Sequence, residues 1–162
     1  MQRGPSPDRV TNPPRTFKLG FSPLGFIAVL VPMIPNALWV FLPAVSSPLS
    51  ANTPFPPWVH VIGLICQSLM FAFLILVINT RRRSTPGTTV VAVVGGLALV
   101  GYLVLWVVYF LTPITPITLV MMAILPSAYF VCVGLYLQNY PSLVPATLFA
   151  SIHISDTVMS YL

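Results

Sequence analysis

His153 and Asp156 stand three residues apart near the C-terminus, in a segment with no Lys or Arg, and they are the side chains of this chain most suited to chemistry. On a helix that spacing puts both on one face. An imidazole and a carboxylate so placed could relay a proton, or bind a cation or a polar ligand. The plainer alternative is that they satisfy each other near a fraying terminus, with Ser155 and Ser160 as hydrogen-bonding neighbours. The other polar groups in apolar surroundings are Asn36, His60, Gln67 and Tyr102. Counted at about 1.5 Å per residue along the apolar runs, Asn36, Gln67, Tyr102 and Asp156 each fall roughly 9–14 Å below one surface, with His60 above them near the entrance of its run. These six residues form a candidate polar or ligand site. Hydrogen bonding between helices accounts for the same residues without a ligand, at about 0.6 kcal/mol per contact on average, because depth does not say which faces meet.

Other chemistries find little to work with. Cys66 and Cys132 are too few and too separated for a metal motif, and their difference in depth, roughly 10 Å by helix rise, exceeds the reach of a disulfide. Free thiols are expected, with no metal site and no cofactor. His60 and His153 differ in depth and so do not form a facing heme pair. A phosphate loop, a zinc signature and a serine nucleophile elbow are all missing from the sequence, so no catalytic residue is assigned.

These residues must be positioned by membrane helices. No Asp, Glu, Lys or Arg occurs from Leu19 to Thr80 or from Ser84 to Ser155. Each window is far longer than the roughly 20 apolar residues that cross a ~30 Å hydrocarbon core. The 162 residues are 57% hydrophobic and only 6% charged, against about 25% charged in soluble domains. The expected fold is therefore an all-α polytopic transmembrane bundle. Its spans are placed at about 23–43, 58–80, 88–111 and 117–138, with a fifth at 142–162. The alternative for that last segment is an amphipathic helix along the cytoplasmic interface, although it lacks the Lys or Arg such helices carry on their polar face. The blocks are apolar all round, which excludes the alternating strands of a β-barrel.

The net charge of +5 resides in Arg3, Arg9, Arg15 and Lys18 and in the Arg81, Arg82 and Arg83 cluster. All seven flank apolar segments, a pattern that orients membrane proteins and meets anionic lipid rather than nucleic acid. With a cytoplasmic N-terminus, every basic residue falls on the cytoplasmic side, as the positive-inside rule requires. The localisation expected is the cell membrane, multi-pass. Residues 1–20, rich in proline and poor in apolar side chains, read as a disordered basic tail. Ala44-Val45-Ser46 has the form of a signal-peptide cleavage site, but the apolar run before it is too long for a signal, and a retained first span is favoured. Trp39, Trp58, Trp106 and Tyr109 lie toward the outer ends of their spans, either as an interfacial belt or as packing inside the bundle.

Pro32, Pro35 and Pro126 interrupt spans and free carbonyls, which either coordinate ions or are satisfied locally by Asn36 or Ser127. Ala92, Gly95, Gly96, Ala98 and Gly101 allow close helix approach, within the bundle or in a homo-oligomer.

Phe21-Ser22-Pro23-Leu24-Gly25, Pro35-Asn36-Ala37-Leu38 and Ser151-Ile152-His153-Ile154-Ser155 resemble pieces of small uncharacterised multi-span membrane proteins of bacteria. Those proteins begin the second span with Glu and Arg, where this chain has Trp58-Val59-His60. The resemblance implies an architecture without a mechanism. The function expected is that of a small non-catalytic integral membrane protein acting through helix contacts with itself or a larger membrane partner. The alternatives are a small transporter or channel-like subunit for a proton, cation or small polar ligand, and, more weakly, a membrane enzyme acting on lipid.

Overall fold

The computed structural model describes residues 16–42 and 55–162. The Ala44–Ser46 motif, the end of the first span at Pro43 and most of the N-terminal tail lie outside the described residues. In chain order the elements are β1 (Phe17–Leu19), α1 (Pro23–Phe41), α2 (Pro57–Leu76), β2 (Val77–Asn79), α3 (Pro86–Leu111), α4 (Pro116–Tyr136) and α5 (Tyr140–Tyr161). Each helix opens with proline in its first turn, where the missing N–H costs nothing and the fixed φ suits the helix. Ser22, Thr85 and Thr115 cap three of them by accepting from the backbone N–H of Gly25, Thr88 and Thr118.

The helices α1, α2, α3 and α4 are long and apolar enough to cross a membrane. The fifth, α5, is less apolar, yet its 22 residues span about 33 Å at ~1.5 Å per residue. It packs lengthwise and antiparallel against α2 and α4. Leu143 meets Gly134, Ile152 meets Gly63, and Asp156 reaches His60 at the far end. Helix α4 is the central element, packed on α3 and α5, and half of its most apolar stretch is buried. Its core face joins Tyr129 and Phe130 to Val29, Met70, Leu74 and Ala146 from three other helices. The outside of the bundle is apolar too: Val93, Leu97, Val100, Val104 and Val107 of α3 are exposed, a surface suited to lipid.

Two sequence expectations change at the arginine end. The tail expected to be disordered through residue 20 is ordered in its last part, because Phe17–Leu19 pairs antiparallel with Val77–Asn79, Lys18 opposite Ile78. The second span, expected to run to Thr80, stops as a helix at Leu76 for the same reason. This short ribbon completes the C-terminus of α2, whose last carbonyls have no partner inside the helix. Gly20 N–H donates to Leu76 O at 2.9 Å and Ser22 N–H to Ile75 O at 2.7 Å. Asn139, 1% exposed, donates its amide to Phe73 O at 2.6 Å and Val77 O at 3.0 Å.

The α4–α5 turn is a Schellman motif. Asn139 N–H donates to Gly134 O and Gln138 N–H to Leu135 O, with Gln138 at φ 51°. A side chain in that left-handed position is uncommon outside glycine. Here it is put to use, since the Gln138 amide donates to Arg83 O at 2.6 Å and accepts from Arg83 N–H at 3.0 Å. Arg82 lies over the Tyr136 ring, 4.4 Å from its centroid, so the arginine loop is tied to the end of α4 on two sides.

Candidate functional site

Toward the end of the bundle opposite the arginines, all five helices contribute to one cavity of about 350 Å³. Five of the six polar residues singled out from the sequence line it: Asn36 from α1, Gln67 from α2, Tyr102 from α3, and His153 and Asp156 from α5. The sixth, His60, places Nδ1 4.0 Å from Asp156 Oδ2 and has a side chain 38% exposed against 17% for Asp156. His60 thus stands between the carboxylate and the surface. Met33, Trp106, Leu119, Met122, Phe130 and Phe149 supply apolar and aromatic wall. A volume of this size is at the lower end of ligand pockets, about 300–1,000 Å³, which are commonly apolar with a few fixed polar groups.

Each polar group has a definite setting. Asn36 donates its amide to Pro32 O at 2.9 Å and to the Tyr102 hydroxyl at 2.8 Å. Tyr102 accepts that bond and so keeps its phenolic proton to donate. His153 stacks on Phe149, centroids 5.1 Å apart and 14° between planes. Thr157 and Ser160 donate their hydroxyls to the backbone carbonyls of His153 and Asp156, leaving acceptor lone pairs on the cavity side of α5. Asp156 Oδ1 is a buried acceptor of the lining with no hydrogen-bond partner among the described residues, while the Trp106 indole lies beside the Tyr102 hydroxyl on the same helix face. Native proteins rarely leave such an acceptor unpaired.

The prolines shape this site from α1. Pro32 has no N–H for the Ala28 carbonyl, and the Tyr129 hydroxyl of α4 donates to that oxygen at 2.9 Å. The partner is therefore a residue the sequence reading did not select, while Asn36 turns to Pro32 O and Tyr102 instead. In α4, Ser127 donates to Ala123 O at 2.8 Å. Near the far end, Trp39 Nε1 donates to the Tyr109 hydroxyl at 3.2 Å, a second tie between α1 and α3.

Trp106 is the site residue that sequence reasoning missed. Of the two alternatives for the aromatic residues near the span ends, Trp106 and Tyr109 take packing inside the bundle, 4% and 0% exposed, whereas Trp58 is 63% exposed. One signal could have found it: Trp106 follows Tyr102 by four residues and shares its helix face. Cys66 and Cys132 are both free. Among the described residues, no three of His, Cys, Asp and Glu cluster as a metal would require. Gly95 packs on Cys132 and Gly101 on Leu125, bringing α3 close to α4, while Gly96 faces open space. Comparison of the chain with models of protein families, with curated proteins and with solved structures finds no match.

Proposed function

We propose that this chain is a five-span membrane protein, with its N-terminus and arginine loop on the cytoplasmic face, that binds a small polar or cationic ligand in the outer half of the bundle as a small transporter or channel-like subunit. The observation carrying this reading is the cavity. A carboxylate in low dielectric is costly unless paired; Asp156 meets His60 through one oxygen at 4.0 Å, while the other is buried without a hydrogen-bond partner among the described residues, in a space lined by every helix. Among the described residues, no Lys or Arg lines that space. Intramembrane ionisable residues of this kind mark ligand or ion pathways.

The topology has its own test. A reporter active in only one compartment, fused after Leu162, is expected to be active outside the cytoplasm, since α5 runs the height of the bundle away from Arg81–Arg83. Activity on the arginine side would return α5 to the interface and remove Asp156 from the bundle.

The binding reading is tested on the detergent-solubilised full chain by melting it in the presence of sodium, potassium, choline, tetramethylammonium or spermidine. At least one cation is expected to raise the melting midpoint saturably, as a ligand of the native state must, and Asp156→Asn is expected to abolish that rise without preventing folding. Equal shifts in native and Asp156→Asn protein would remove the carboxylate from the site.

A second reading, helix contacts with another copy or a membrane partner, is favoured by the open surface at Gly96 and the exposed apolar face of α3. A Gly96→Leu variant that dissociates a defined oligomer in light scattering would support it.

A further inference from the structure

We infer that a groove between α1 and α3, on the arginine side of the bundle, seats one acyl chain of an anionic phospholipid whose phosphate rests on Arg82. This uses only α1, α3, α4 and the arginine loop, and is independent of the Asp156 cavity and of the side on which α5 ends.

The groove follows from where α1 is tied down. The side-chain hydrogen bonds from α1 to α3, Asn36 to Tyr102 and Trp39 to Tyr109, lie in the half of the bundle away from the arginines. Toward the arginines the two helices part and leave a space of about 260 Å³ over α4. Leu24 and Ala28 of α1 line one side, Ala92 and Gly96 of α3 the other, and Cys132 and Tyr136 of α4 the floor. Leu24, Ala92 and Gly96 are exposed and Cys132 and Tyr136 half-buried, so the central helix is open here to the bilayer. The Tyr129 hydroxyl on the floor donates to Ala28 O at 2.9 Å, and the surface that remains is chiefly hydrocarbon and ring.

Size separates a chain from a helix. Spread over the roughly 10 Å of helix rise from Tyr129 to Tyr136, the volume corresponds to a section of about 25 Å², against roughly 80 Å² for a helix ~10 Å across. An extended acyl chain fits such a slot, and a helix does not enter it.

Charge at the end of the groove selects the headgroup. Arg82 lies over the ring of Tyr136, 4.4 Å from its centroid, with Arg81 and Arg83 on either side in sequence, and all three residues are exposed. A guanidinium meets phosphate oxygens through paired N–H donors, and one already held over a ring loses less freedom on binding. Among the described residues the only Asp or Glu is Asp156, near the other end of the bundle, so the ammonium of a zwitterionic headgroup finds no carboxylate here. A headgroup of net negative charge is therefore preferred. The same charges disfavour a second copy in the groove, because copies inserted in the same sense bring their arginine loops to one level and add positive charge where it is already present.

Native mass spectrometry of the detergent-solubilised full chain, titrated with dioleoyl phosphatidylglycerol, dioleoyl phosphatidylcholine or glycerol phosphate, tests chain and headgroup separately. The native chain is expected to retain one phosphatidylglycerol at least fivefold more tightly than phosphatidylcholine and at least tenfold more tightly than glycerol phosphate, which has no chain. Arg82→Gln should bring the two lipids within twofold of each other. Ala92→Phe, which fills the groove, should weaken both at least fivefold, whereas Leu97→Phe, on the 68% exposed face of the same helix, should leave both within twofold of native. Equal retention of the two lipids by the native chain overturns the headgroup assignment, and that comparison needs no variant to fold. Glycerol phosphate binding as tightly as phosphatidylglycerol, or Ala92→Phe protein binding lipid like the native chain, overturns the groove as the seat and leaves lipid on the arginine loop alone. A native chain that retains no lipid overturns the proposal, and a dimer lost in Ala92→Phe would then give the groove to a second copy. Asp156→Asn is expected to keep native lipid binding, so this result and that of the cation panel stand or fall separately.

Discussion

Gly25→Val is expected to be the most damaging single substitution in the bundle, lowering stability by about 3 kcal/mol or more. Gly25 lies in the first turn of α1, and a Cβ built there falls on the backbone carbonyl of Leu74 in the last turn of α2. Backbone cannot rotate away as a flexible side chain can. Relief would require α1 to lift off α2, and that movement would take Ser22 N–H away from Ile75 O and Gly20 N–H away from Leu76 O. Close packing transmits such a displacement rather than absorbing it. Gly96→Ala supplies the contrast, because nothing lies within 4 Å of its added Cβ, and its effect should stay within about 0.5 kcal/mol. Unfolding of the solubilised full chain, followed by circular dichroism, compares the two. A Gly25→Val protein that unfolds like the native chain would mean that α1 does not sit on α2 in this way.

Asn139→Asp should cost about 3–5 kcal/mol, the range for leaving an uncompensated buried charge. The Asn139 amide donates to two carbonyls at the end of α2 from a position 1% exposed. Aspartate replaces those donors with an acceptor and points negative charge at two carbonyl oxygens. Asn139→Leu should be milder, about 1–3 kcal/mol, for a reason visible at the same residue. Its Oδ1 is buried without a hydrogen-bond partner among the described residues, so leucine removes an unsatisfied acceptor along with the two useful hydrogen bonds. Phe73 O also keeps the N–H of Val77. The same unfolding measurement applies, and the order Asp worse than Leu is the diagnostic result. Leucine proving the more damaging would mean that shape, and not hydrogen-bond polarity, sets the requirement at this position.

Both predictions concern the end of α2, a feature that local sequence gives little hint of. Val77-Ile78-Asn79 continues an apolar run, and three residues are too few to display the alternation of a strand. They become one because Phe17–Leu19, more than fifty positions earlier, lies alongside them. In the same way Gln138 takes a positive φ without being glycine, since its side chain finds Arg83 across the loop.

The helices themselves were legible in advance. Charge-free windows fix where an apolar segment must be, and proline at each start fixes where it begins, so the observed helices depart from the expected spans mainly at their ends. α5 had to be argued through a polar pair, because Asp156 and His153 lower its hydropathy; its place along α2 and α4 comes from packing.

The candidate site divides along the same line. The sequence alone placed Asn36, Gln67, Tyr102 and Asp156 at one expected level, because helix rise per residue is nearly constant and converts sequence number into height along a helix. Only the tertiary structure decided that these residues face one another, that His60 stands beside Asp156, and that Trp106 joins them in the cavity wall. Rotation of a helix about its own axis is set by which side chains interlock with its neighbours, and in spans that are apolar on every side the sequence carries almost no signal for that angle.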